Sequence, residues 1–538
     1  MSTASPNFDL HCHPTTKTIM AELGQNHARN CWEHVNVGVA DQLMQNSLNS
    51  QASLTQLFNG HVNLAVVGLY GVEFAFANSF VLEVLNCLTD VIHDEYFAEI
   101  RRAGGMGYLG SIIQELRHLR LSANGPDGKK MKIINRIEDY DRNDPNTIHL
   151  ILSLEGSHNL DPVGDGGENP PEADVIEAIT FNFRKFFKNP RDPQFEGRLL
   201  HLTLTHLANN QYANHCWGMP KLLGGRLGSD SFTPKGNGLT SVGRAQIREA
   251  LRDRDEAGNP LYRVLIDVKH MSVKARQQYY ALLETPEFRA MRRNGRPIPI
   301  VASHNGVTGL PVNHIYATSP PQPGNEDKGN QVTYHRVPGR LRDSAFNPWT
   351  INLFDEDIRT ILRSGGLIGL SLDQRILGVE GTEPERFSVF EPMPPFQFSA
   401  GQPQGGFDAN HAGQDETTWD LSGENRQNFE HLRHFCNNLL HIALTAQEAG
   451  LSDEAAWNHV CIGSDFDGLI NAMDYATSAA DLGILRQGVN TWLRKFAANL
   501  DYQRDAAFWD NVTEKLFFQN AFEFLQTHFS EPNGEVNI

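Results

Sequence analysis

His149-Leu150-Ile151-Leu152-Ser153-Leu154-Glu155 is a short apolar run that stops on a carboxylate. A run of that length, with little polar alternation, reads as a strand covered on both faces. Four further runs end in a similar way. Phe8-Asp9-Leu10 leads into His11-Cys12-His13, and Val264 to Val268 leads into Lys269-His270. Ile298 to Ala302 leads into Ser303-His304, and Val460 to Gly463 leads into Ser464-Asp465. Parallel barrels and open α/β sheets keep their chemistry just past the carboxyl ends of their strands. Five endings of this kind, with His, Glu and Asp at the tips, point to a metal-dependent hydrolase.

Working outward from these runs gives eight strand candidates: 7–11, 64–69, 149–155, 200–206, 264–270, 298–304, 367–373 and 459–465. Helical patterns fall between them. They cover 80–99, 175–187 with Asp174 as the expected N-terminal cap, 241–252, 273–283 and 354–364. The last opens on Asp355-Glu356-Asp357, acidic residues that favour a helix start, and stops before Gly365-Gly366. Strand and helix alternating eight times predicts an α/β fold, a (β/α)8 TIM barrel over residues 1–475. Two long insertions interrupt it, at about 311–350 and about 378–425, the second carrying Pro394-Pro395 and Gly405-Gly406. Such loops are either functional lids or disordered, and the sequence favours neither. Residues 476–538 read as a helical extension whose aromatics, Trp492, Phe496, Phe508 and Trp509, pack on the barrel.

The 538 residues carry 46 Lys and Arg against 64 Asp and Glu, a formal net charge of −18. That disfavours a nucleic-acid partner and favours solubility. Six cysteines, none in C-x-x-C spacing, are no disulfide framework in so long a chain. Cys12 lies between two ligand candidates and is expected to face away from the metal, because strand neighbours alternate. No signal peptide, membrane span or lipid-anchor signal is visible, so a cytoplasmic protein is the expectation.

The chemistry follows from the residue types. His11 and His13 at one strand end can converge on a divalent ion, for which zinc is the best match. Standing alone, that pair would read as surface histidines. Glu155 at the end of a buried strand must be paired or metal-bound, with an arginine salt bridge as the other option. His270 and His304 end successive strands and should be neighbours, holding a second ion or simply standing at a barrel rim. A bridging Glu155 would join two divalent ions, which together activate water and polarise a carbonyl. Asp465 is placed to carry the proton, and Asp467 reads as a loop-stabilising carboxylate. His206, ending the fourth strand candidate, either bonds the developing oxyanion or is structural.

The run Leu152-Ser153-Leu154-Glu155-Gly156-Ser157-His158 belongs with five others, in this order: Leu204-Thr205-His206, Gly238-Leu239-Thr240-Ser241-Val242-Gly243-Arg244, Ile266-Asp267-Val268-Lys269-His270-Met271-Ser272, Ala302-Ser303-His304 and Gly463-Ser464-Asp465-Phe466-Asp467-Gly468. Together they resemble the membrane (renal) dipeptidase family, peptidase family M19, of the amidohydrolase superfamily. The resemblance spans about residues 8–310 and 353–475. It implies a binuclear zinc barrel that cleaves dipeptides, often those with a C-terminal D-residue. It implies Glu155 as the bridge, His270 and His304 on one ion, Asp465 as acid/base and His206 at the tetrahedral intermediate. It also implies a homodimer.

The chain departs from that family at three places. The first motif, usually His-x-Asp, is His11-Cys12-His13, which makes the metal site one charge more positive. The usual arginine that binds the substrate carboxylate is absent from Thr350-Ile351-Asn352-Leu353, leaving Arg336, Arg340 or Arg342 as substitutes. The two insertions reshape or cover the pocket. Two alternatives therefore stand beside a dipeptidase: a hydrolase of another amide, cyclic amide or lactone, and a non-catalytic metal- or ligand-binding protein.

Overall fold

The computed structural model describes residues 5–22, 30–36, 38, 41–42, 46–77, 107–161, 171–188, 197–218, 232–312, 329–332, 337–381, 383–391 and 425–531. Eight strands form the barrel. They are β1 (Asn7–Cys12), β2 (Val62–Leu69), β3 (Thr147–Leu154), β4 (Leu199–Thr203), β5 (Leu265–Asp267), β6 (Val301–Asn305), β7 (Leu367–Leu370) and β8 (Val460–Ile462). Each pairs in parallel with the next, in chain order. The ring closes just beyond β8, where Cys12 bridges Phe466 in parallel and Asp465 N donates to His11 O at 2.9 Å. This is the (β/α)8 barrel expected from the alternating pattern.

Every residue of β3 is buried, as an Ile- and Leu-rich strand requires when helices cover one face and the barrel interior the other. Register decides where the strands stop. Leu154 aligns with Leu69 and with Leu202, Thr203 with Asp267, and Leu370 with both Asn305 and Ile462. The residues just past these positions therefore share one rim. Strands β6 to β8 approach closely because Gly369 and Gly463 carry no side chain. A Cβ on either would meet Ser303 O, at 1.9 and 1.8 Å.

The helix expected from 175 begins earlier, at Glu172–Phe187. Pro171 occupies its cap position, and Asp174 sits inside the first turn rather than capping it. Thr240 and Ser272 do cap Ser241–Leu251 and Val273–Leu283, accepting from Gly243 N and Ala275 N. The expected helix at 80–99, Pro394-Pro395, Gly405-Gly406 and Arg336 lie outside the described residues. The described parts of the two insertions pair with each other: Asn330–Val332 runs antiparallel to Glu385–Phe387. Val332 and Phe387 then join Cys216, Trp349, Ile351 and Ile376 in a small second core beside the barrel mouth.

Helices after residue 476, Leu482–Ala498, Ala506–Glu514 and Asn520–His528, bury Trp492, Phe496 and Trp509 in the same core as the strands. The described cysteines Cys12, Cys31, Cys216, Cys436 and Cys461 are buried and unpaired as disulfides. Cys12 Sγ faces Val66 O, at 3.8 Å. Among the described residues no helix is long and apolar enough to cross a membrane.

Candidate active site

The seven residues singled out from the sequence stand together at the carboxyl end of the barrel. His11 comes from the end of β1 and His13 from just past it, Glu155 from just past β3, His206 from the turn after β4, His270 from just past β5, His304 from β6 and Asp465 from just past β8. His270 and Asp465 both have φ of 65°, a left-handed backbone that non-glycine residues seldom adopt. Each such residue costs about 1–3 kcal/mol and persists where the surroundings hold it. Here Cys216 N donates to His270 O at 2.8 Å, and Asp465 N is fixed on His11 O.

Four imidazole Nε2 atoms surround one oxygen. Glu155 Oε1 lies 3.1 Å from His270, 3.4 Å from His11, 3.5 Å from His304 and 3.9 Å from His206. Its other oxygen is 3.2 Å from His13 Nε2, which in turn lies 3.0 Å from His11 Nε2. A carboxylate oxygen offers about two acceptor positions, fewer than the nitrogens converging on it. The pattern is that of ligands grouped for a cation rather than of a closed hydrogen-bond network. His13 Nδ1–H donates to Gly68 O at 2.8 Å, which fixes the ring and aims Nε2 inward. Ser303 Oγ holds His304 Nδ1 at 2.7 Å. Within the described residues three donor groups lie together: His11, His13 and Asp465; His11, Glu155 and His304; Glu155, His206 and His270. His270 and His304 are neighbours as expected, with ring centroids 5.3 Å apart, and the groups also bring His206 among the ligand-capable nitrogens. Nitrogen and carboxylate donors in this number fit zinc or a similar divalent ion.

Burial sets most of the protonation states. It pushes His11 down to about 4 and His270 to about 3, and it holds His304 well below the usual imidazole range. Such rings are neutral and ready to bind a metal. Burial also pulls His13 down, but the hydrogen bond and charge of Glu155 outweigh it and raise His13 to about 9. Burial first, and then the charge of Glu155, lifts Asp465 to about 8. Burial would raise Glu155 too, yet the charges of His206 and His11 hold it well below the usual carboxylate range.

Several residues at the site carried no signal in the sequence. Glu73 Oε1 lies 2.6 Å from His206 Nδ1 and also accepts from Leu207 N at 3.0 Å. Burial works against a charge on His206, but Glu73 and then Glu155 raise it above the usual value. Tyr70, whose hydroxyl donates to Glu73, tilts over the His206 ring. Lys269 and Arg375 line the same cleft, with an apolar wall that includes Leu207, Trp349, Ile351 and Ile376. The cleft measures about 860 Å³, open mouth included. Asp467 accepts from Gln51 N and Ala52 N at 2.8 and 2.9 Å, the loop-stabilising arrangement expected of it. Of the arginines proposed from the first insertion, the two that are described point elsewhere. Arg340 pairs with His441 and Glu448, and Arg342 is exposed beside Asp343.

Gly68 is the one position on β2 where a methyl group would disturb this centre. Its Cβ would lie 2.7 Å from His13 Cε1 and 3.0 Å from His11 Cε1. Gly68→Ala should weaken zinc binding by roughly 10–100-fold while leaving the melting temperature of the metal-free protein nearly unchanged. Unaltered zinc affinity by competition with a chelating dye would show that these two rings are not ligands.

No protein-family model matches the chain, and no curated protein matches it. Solved structures do. A dipeptidase of metallopeptidase family M19 aligns over 98% of this chain and 100% of its own at 14% identity, with a TM-score of 0.45. A metallopeptidase from Rhodobacter sphaeroides, bound to a phosphinate mimic of L-Ala-D-Ala, gives the same values. The probable dipeptidase PvdM from Pseudomonas aeruginosa aligns over 98% of this chain and 96% of its own at 13% identity, with a TM-score of 0.43.

Proposed function

We propose that this chain is a metal-dependent hydrolase of the amidohydrolase type that cleaves the peptide bond of dipeptides, as its M19-like motifs imply. The observation that carries the reading is the crowd of imidazole nitrogens around Glu155, with the Asp465 carboxyl group 3.8 Å from His13 Nε2. His11, His13, Glu155, His270 and His304 would hold two divalent ions, zinc by donor chemistry, which when bound supply an activated water and a polarised carbonyl. Asp465 accepts the proton of the attacking water and returns it to the leaving amine. His206, whose charge Glu73 favours, lines the cleft, where its Nε2–H can bond the oxygen that gains negative charge. The apolar wall excludes bulk water and strengthens both interactions. Residues 1–475 form the catalytic unit in this reading, and 476–538 brace it.

The test is amine release from L,L and L,D dipeptides with zinc added, each beside its C-terminal amide. Turnover of the free dipeptides and not of the amides is expected. Neither Arg340 nor Arg342 reaches the cleft, and that favours one second reading: a hydrolase of another small amide, cyclic amide or lactone. It predicts inert dipeptides and a protein that still binds about two ions.

A further inference from the structure

Two cations line the cleft, and they differ in how their charge is met. Arg375 is already neutralised. Its Nε lies 3.0 Å from both oxygens of Asp373, its Nη2 lies 2.5 Å from one of them, and the same Nη2 donates to Leu469 O at 3.2 Å. Lys269 is only 2% exposed and lines the cleft next to His270. Its backbone N–H is fixed on Asp267 Oδ1 at 3.0 Å, but its side chain makes no hydrogen bond or ion pair with any described residue. Asp465, Asp373 and Asp267 lie near enough to favour its charge, but none of them makes a direct contact with its ammonium. Asp373 holds Arg375, and Asp267 holds the backbone N–H groups of Lys269 and Ser303. Asp465 must stay free to carry a proton. A buried amino group with no direct hydrogen-bond partner is poorly satisfied, so an anionic partner should arrive with the ligand.

We propose that Lys269 is the anchor for the substrate's carboxylate, in place of the arginine this chain lacks. The assignment rests on the hydrolase reading above and narrows its substrate class. Lys269 directly precedes His270, so the anchored group sits close to the scissile bond. A carboxylate on the carbon next to the amide nitrogen meets that requirement: an N-acyl α-amino acid, of which a dipeptide is one. Leu207, Trp349, Ile351 and Ile376 offer its side chain an apolar wall.

The experiment is calorimetric titration of the zinc-loaded full chain with N-acetyl-L-alanine and with N-acetyl-L-alaninamide. The wild type should favour the acid by roughly 10- to 100-fold, the range of a charge-assisted hydrogen bond. Lys269→Met should erase that preference with metal content unchanged, and Lys269→Arg should keep part of it. The ligand-free Met variant should also melt higher, because it no longer buries an amino group without a hydrogen-bond partner. A Met variant that retains the full preference, or a wild type without one, overturns the assignment. So does a Met variant that melts lower, which would make Lys269 a structural counter-ion. Acid preference without turnover of any dipeptide would keep the anchor and overturn the dipeptidase reading instead.

Discussion

Glu155→Gln should release metal and reduce turnover together. Glu155 is the one carboxylate that all five surrounding histidines face, His11, His13, His206, His270 and His304, each within 3.9 Å of one of its oxygens. The amide removes its negative charge and turns an acceptor oxygen into a donor that faces imidazole nitrogens. A metal centre contributes several kcal/mol of charge stabilisation to the reaction, so the expected loss in kcat/KM is about 10³-fold or more. Metal content by mass spectrometry should fall from about two ions per chain to one or none. Full metal content with unchanged turnover would remove Glu155 from the centre of the account.

Asp465→Asn should separate chemistry from binding. The amide cannot take a proton, so kcat should fall by about 10²–10⁴-fold while KM changes little. The pH profile should change with it. Burial and then Glu155 raise Asp465 to about 8 without metal, and bound cations must lower that value because they favour the carboxylate. The carboxylate is the working form, so wild-type kcat/KM should decline as pH falls through its value in the loaded enzyme, below pH 8. The Asn variant should lack that limb. A variant that keeps wild-type kcat with zinc in place would assign the proton transfer to another group.

All eight barrel strands are legible in the sequence because most are apolar runs, and all but 64–69 end on His, Glu or Asp; a parallel strand buried on both faces leaves that trace. The convergence of His11, His13, Glu155, His206, His270, His304 and Asp465 follows from the same logic, since strand ends of a barrel share one rim. What the sequence conceals is set by contacts between distant segments. Glu73 and His206 are 133 positions apart, and nothing around Glu73 announces its partner. Lys269 stands in plain view beside His270, but that its side chain lacks a direct partner is visible only once the strands are assembled. One contact between the imidazoles also escapes strand order: besides standing next to His13, His11 stacks on His304 at 4.0 Å. The short strand Lys130–Ile133, which pairs with β3, alternates charged and apolar residues and lacks the run that marks the others.

The most direct measurement is anomalous diffraction at the zinc edge from crystals of the zinc-loaded chain. The account predicts two peaks flanking Glu155, one beside His11 and His13 and one beside His270. A single peak would reduce the centre to one ion, and no peak within bonding distance of Glu155 would contradict the account.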